Sequence, residues 1–221
     1  MLKKVLPLVL ISVVAAACSS APAEPAGHEN PERAVIAWFE AIDNGNAVGA
    51  SNAIHSETLA LILGIENGLD AAAIATYLDD GVPLETQAAY WASFADGFVE
   101  FASRPVSTLT VGESERFTSE GFEFASVPVG GGVGSGSVVI TRMRDDGSWE
   151  VDLVASLGDG FAQLLAGEYD GLPNDEVGDR VRLAYAETVV PSLWAAMTDG
   201  SFGDDFTRTA MAIIDSVDRG P

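Results

Sequence analysis

A single cysteine, Cys18, in a chain of 221 residues rules out any internal disulfide, so whatever this sequence folds into must stand on its hydrophobic core. The length is ample for one domain with an extension. With 48% hydrophobic and 8% aromatic residues the composition supplies that core, although 33 Asp and Glu stand against only 11 Lys and Arg. The chain therefore reads as a folded acidic protein rather than a disordered acidic tail.

The surroundings of the cysteine explain its presence. Lys3 and Lys4 charge the beginning of the chain, and Val5–Val14 is an apolar run broken only by Pro7 and Ser12. Ala15, Ala16 and Ala17 then supply the small residues of a cleavage site. This is the layout of a secretory signal, well short of the ~20 apolar residues of a membrane-spanning helix. Ala15-Ala16-Ala17-Cys18 resembles the lipobox of bacterial lipoprotein precursors, with Ala15 where Leu is usual. The resemblance implies that residues 1–17 are a signal peptide and that Cys18 is acylated as the new N-terminus. It places the protein in the cell envelope, anchored to a lipid bilayer on the extracytoplasmic side. The alternative is an ordinary signal cut at the same bond. Two or more acyl chains anchor stably, at ~0.8 kcal/mol per buried CH₂. Residues 18–30 read as the lipidated cysteine and a flexible tether, since Ser19–Asn30 is rich in Pro, Ala and Ser without apolar periodicity.

Cleavage after Ala17 removes both lysines and leaves nine arginines against 33 acids, a net charge of −24. Such a surface repels nucleic-acid phosphates and anionic lipid heads, so nucleic acid is excluded as a partner.

Residues 31–156 read as an α+β domain. Asn30 as N-cap, Pro31 at the first helical position and the stripe Val35, Trp38, Phe39 and Ile42 predict a helix ending at Gly45. Helical stretches follow at 46–55, 57–66 and 70–78. Leu84, Ala88, Trp91, Ala95, Phe98 and Ala102 line one face of a longer helix that stops before Pro105. Beyond it, 106–111 and 122–129 read as strands. Ser137–Arg144 and Trp149–Val154 flank Asp145-Asp146-Gly147 as a hairpin. Its register sets Arg142 against Glu150 on an outer face, with Val139, Met143, Trp149, Val151 and Leu153 inside. Residues 157–221 read as a C-terminal helical extension. It contains a short helix at 161–165, a stripe from Val177 to Thr188 interrupted by Pro191, and a final helix through Phe206, Ala210, Ile213, Ile214 and Val217.

The opening Pro31-Glu32-Arg33-Ala34-Val35…Trp38-Phe39-Glu40-Ala41-Ile42 with the late Gly-Ser-Trp-Glu-Val-Asp hairpin resembles the NTF2-like superfamily. That resemblance implies N-terminal helices packed on a curved antiparallel sheet, forming a cone with a pocket inside. An unrelated α+β or largely helical domain is the alternative.

Absences limit the chemistry. A mature chain without lysine has no Schiff base and no Ser-Lys dyad. Gly130–Gly136 lacks the ending of a P-loop and reads as a loop between strands. H-E-x-x-H and G-x-S-x-G are missing, and no cofactor or metal is indicated. The cluster Asp170, Asn174, Asp175, Glu176 and Asp179 lacks EF-hand spacing, and helix capping accounts for part of it. Of the two histidines, His28 falls in the tether. His55, at a helix end, is the candidate polar pocket residue, while Trp38, Trp91 and Trp149 are candidate pocket-lining residues. Two functions remain open. One is a non-enzymatic lipoprotein binding a small apolar ligand or an envelope protein partner. The other is an NTF2-like enzyme using Asp or His acid–base chemistry on a small molecule.

Overall fold

The computed structural model describes residues 27–130 and 137–220. The processing site with Cys18, most of the tether and Gly131–Gly136 lie outside the described residues. The fold is α+β, with N-terminal helices packed on a curled antiparallel sheet and further helices after it. No helix among the described residues is long and apolar enough to cross a membrane.

Five helices come first: α1 (Pro31–Asp43), α2 (Ala47–Asn52), α3 (Ser56–Glu66), α4 (Ala71–Asp80) and α5 (Leu84–Ala102). Side-chain caps start three of them. Asn30 accepts from Arg33 N at 2.9 Å, Asn46 from Gly49 N at 3.0 Å and Asp70 from Ala73 N at 2.9 Å. The stripe of α1 is buried as its spacing demands. That of α5 is not: Trp91 is buried, but Leu84 is 57% exposed and Ala88 also faces solvent. The first half of α5 covers little, and its buried side is rotated towards Phe94 and Phe98.

The sheet comprises β1 (Thr110–Val111), β2 (Glu115–Ser119), β3 (Phe122–Gly130), β4 (Ser137–Met143) and β5 (Trp149–Val151), all antiparallel. β1 and β2 share one edge of β3, separated by a break at 112–114. Val106–Thr108, expected as strand, is a 3₁₀ turn. The reason is an acid on α1: Asp43 accepts from Val106 N and Ser107 N at 3.3 and 2.7 Å, taking the donors a strand would need. β2 is too polar to announce itself. It is turned onto β3 by Glu120 and Gly121, both at positive φ (49° and 83°), the conformation of a two-residue hairpin turn. The β4–β5 hairpin has the expected register, Arg142 opposite Glu150, and Gly147 is left-handed at φ 81°.

The alternation gives the sheet two unlike faces. Val127, Val129, Val139, Thr141, Trp149 and Val151 lie against α1. Phe117, Phe124, Ile140, Arg142 and Glu150 point the other way, towards the C-terminal helices. Glu150, expected outside, is therefore only 2% exposed. β5 ends at Val151, earlier than expected, because Asp152 caps the short helix α6 (Leu153–Ser156) by accepting from Ala155 N at 2.9 Å.

The remaining helices are α7 (Asp159–Asp170), longer than its apolar residues suggest, α8 (Glu176–Ala184), α9 (Val190–Asp199) and α10 (Asp204–Arg219). Pro191 does not interrupt the chain's helical course. A π-helical turn, Tyr185–Val189, joins α8 directly to α9 and widens the backbone where the proline ring would collide with a carbonyl. These helices share one core with residues 31–156. Arg180 of α8 reaches Glu57 of α3 at 2.9 Å and Asp79 of α4 at 2.8 Å, tying the two helical groups together.

Candidate functional site

Two concavities lie on opposite sides of the sheet. The first, about 230 Å³, opens between α1, α5 and the end of the sheet. Its walls are Trp38 and Phe39 from α1, Phe94, Phe98 and Phe101 from α5, and Val139 from β4. The three phenylalanines follow a spacing of four and three, so one side of α5 presents them together. Phe101 is 81% exposed at the rim. No ionisable side chain among the described residues lines this pocket. Trp38 is 4% exposed, and its buried indole Nε1–H has no acceptor among the described residues. Its ring stands at 5.9 Å from Phe94 and edge-on to Trp91 at 6.1 Å.

Trp91 sits behind this wall, with Nε1 donating to Ser51 Oγ at 2.8 Å. Trp149 is elsewhere: it is 1% exposed beneath the Arg116 guanidinium, 5.0 Å above its ring, and lines neither concavity. Of the three candidate tryptophans, Trp38 lines the apolar pocket, Trp91 packs behind it and Trp149 lies away from it. Phe94 and Phe101 lie off the stripe that the sequence announces; their spacing from Phe98 is the signal that points to them.

The second concavity, about 610 Å³, lies over the β4–β5 hairpin. His55 reaches it from the turn before α3, half-buried and making no capping hydrogen bond. Phe122, Arg142, Arg144 and Glu150 come from the sheet, and Glu187 and Pro191 from the π turn and α9. Glu150 accepts from Arg144 Nε at 2.7 Å. Burial pushes its carboxyl up to about 7, although the Arg144 guanidinium pulls the other way. Asp152, two residues on, is buried and likewise pushed up, chiefly by desolvation. It does not line the concavity. Ser192 Oγ lies 2.7 Å from Asp152 Oδ2 and 2.8 Å from the Thr188 carbonyl oxygen. Ser192 Oγ is the donor to Asp152, an interaction that opposes the upward push of burial.

Three members of the acidic cluster near α8 are engaged internally. Asp175 caps the helix from Gly178 N at 3.0 Å, and Arg182 donates to Asp179 at 3.1 Å and Asn174 at 3.0 Å. No group of three or more metal-ligating side chains occurs among the described residues.

No protein-family model, curated protein or solved structure matches the chain.

Proposed function

We propose that this chain is an exported lipoprotein, acylated at Cys18, whose α+β domain holds a small apolar ligand in the pocket between α1 and α5. The observation that carries the reading is the set Trp38, Phe94, Phe98 and Phe101 around a concavity without charged walls. Its volume, about 230 Å³, exceeds the ~150 Å³ of an engineered dry cavity that takes benzene and falls below the usual range for drug-sized ligands. The fitting ligand is one aromatic ring with a short substituent. The NTF2-like resemblance belongs to the same reading, since α1 lying across a bent antiparallel sheet is the arrangement it implies.

Mass spectrometry of the protein extracted from its own membranes tests both halves. The denatured chain starts at Cys18 and carries acyl mass, and the native protein carries a small molecule that Phe101→Asp releases. A chain cut before Cys18 without acyl mass overturns the anchor. A native mass without ligand, unchanged by added acetophenone, overturns the pocket.

One observation favours a second reading, acid–base chemistry on a small molecule. Glu150 meets a concavity beside His55 with its carboxyl near 7, where a general base works best. It ranks second because Arg144 already holds one carboxylate oxygen. Exchange of ketone α-protons in D₂O, catalysed by the protein and lost in Glu150→Gln, supports this reading; exchange no faster than in buffer removes it.

A further inference from the structure

The concavity over the β4–β5 hairpin contains a cation that feels the charges of Glu150 and Asp152 but touches neither. Arg142 stands opposite Glu150 in the register, yet Glu150 turns its carboxylate to Arg144. Arg142 makes no ion pair and no hydrogen bond among the described residues. Its guanidinium instead lies over the Phe122 ring at 4.1 Å from the centroid, with Phe124 at 6.0 Å. The aromatic face engages the guanidinium without using its N–H donors. A planar fork of that kind matches a carboxylate in two parallel hydrogen bonds. Arg142 is half-buried and keeps these donors within the concavity.

A bare carboxylate is nevertheless a poor occupant. The mature chain's charge repels anions at a distance. Asp145 and Glu187, both exposed where they line the same concavity, add local repulsion. Neither makes an ion pair among the described residues. Asp146 is different, because Ser148 N and Oγ donate to it at 2.8 and 2.5 Å. An occupant of zero net charge with a cationic group beside its carboxylate escapes the repulsion and uses both signs. Phe122, Met143 and Pro191 supply apolar wall for the rest of the molecule. The volume, about 610 Å³, lies within the range of small-molecule sites.

We propose that this concavity binds a free amino acid with an apolar side chain, its carboxylate held by Arg142 and its ammonium directed to Asp145 and Glu187. The site is separate from the apolar pocket and does not rest on that reading.

Calorimetric titration of the full chain with leucine and phenylalanine tests it. Each is set against its two halves: 4-methylpentanoate and 3-methylbutylamine, and 3-phenylpropanoate and 2-phenylethylamine. At least one amino acid binds, with both of its halves weaker by tenfold or more. Arg142→Gln reduces amino-acid affinity at least tenfold. Glu187→Gln, a change on the exposed surface, weakens the amino acid and leaves the carboxylate half unchanged or tighter. Binding of neither amino acid overturns the proposal. Equal binding of the carboxylate half also overturns it, leaving a plain anion site. Should Arg142→Gln lose its folded circular-dichroism signal, Arg142→Lys and Glu187→Gln carry the test. Full affinity in both overturns the assignment.

Discussion

The two faces of the sheet solve burial in opposite ways. Against α1 the side chains are almost wholly apolar, and the covering is incomplete, so an aromatic-lined opening persists at the end of α5. Against α9 the covering is closer, yet Arg142, Glu150 and Asp152 lie beneath or beside it. Apolar groups left open to water cost little individually, whereas buried charges must be paired or neutralised. The lesson is that the loosely covered face leaves aromatic side chains open at the end of α5, whereas the charged face holds Glu150 with Arg144 and Asp152 with Ser192.

The largest effect should come from breaking the charged face. Arg144→Ala removes the partner of a carboxylate that is 2% exposed, and chemical denaturation should show a loss of about 3–5 kcal/mol. The exposed pair Arg208–Asp205, at 3.0 Å, gives the contrast: Arg208→Ala should change stability by less than about 0.5 kcal/mol. Equal effects would erase the distinction between buried and surface charge.

Next in size is the pH dependence. An acid raised above its ordinary pKa in the folded state binds more protons than the unfolded chain between the two values. Stability then falls as pH rises across that window and levels off above it. For Glu150 the window runs from 4.5 to about 7, with a contribution of at most about 3 kcal/mol. Asp152 acts in the same direction. The melting temperature should be higher at pH 5 than at pH 7.5, and Glu150→Gln should flatten the slope. A melting temperature that rises with pH over this range would contradict the assignment of raised carboxyls.

How much of this was legible in the sequence depended on what each residue's neighbours in the chain reveal. Asn30 with Pro31 announces α1, and Asp145-Asp146-Gly147 announces the hairpin, because caps and tight turns are local chemistry. Strand alternation sets Glu150 outside because it assumes that one face meets water; the tertiary fold buries that face instead. Likewise Asp43 dissolves an expected strand 63 residues away, and the π turn before Pro191 depends on packing. Among candidate site residues, Trp38, Trp91 and His55 do approach concavities, but not the same one. Arg142 was recognised as a register partner rather than a ligand group, since no sequence signal tells which arginine its opposite glutamate will refuse.

A smaller effect compares two tryptophans of the apolar side. Trp91→Phe and Trp38→Phe remove the same atoms, but only Trp91 loses a hydrogen bond, the one to Ser51. Trp91→Phe should cost about 1 kcal/mol more in urea denaturation. Equal costs would show that Trp38 Nε1–H is satisfied in solution. The smallest effect belongs to Phe101, 81% exposed at the pocket rim. Phe101→Ser should alter stability by less than about 0.5 kcal/mol while weakening uptake of an aromatic probe. A loss of stability without a loss of uptake would make it a packing residue instead.

The indole N–H signals of the four tryptophans test the central claim most directly. With each assigned by its Phe variant, acetophenone, one ring with one acceptor, is titrated into ¹⁵N-labelled protein. The account predicts a saturable shift of the Trp38 signal, whose ring is in the pocket wall, while that of Trp149, on the same sheet face but away from the pocket, stays in place. No saturable change at Trp38, or equal drift of all four signals, would contradict it.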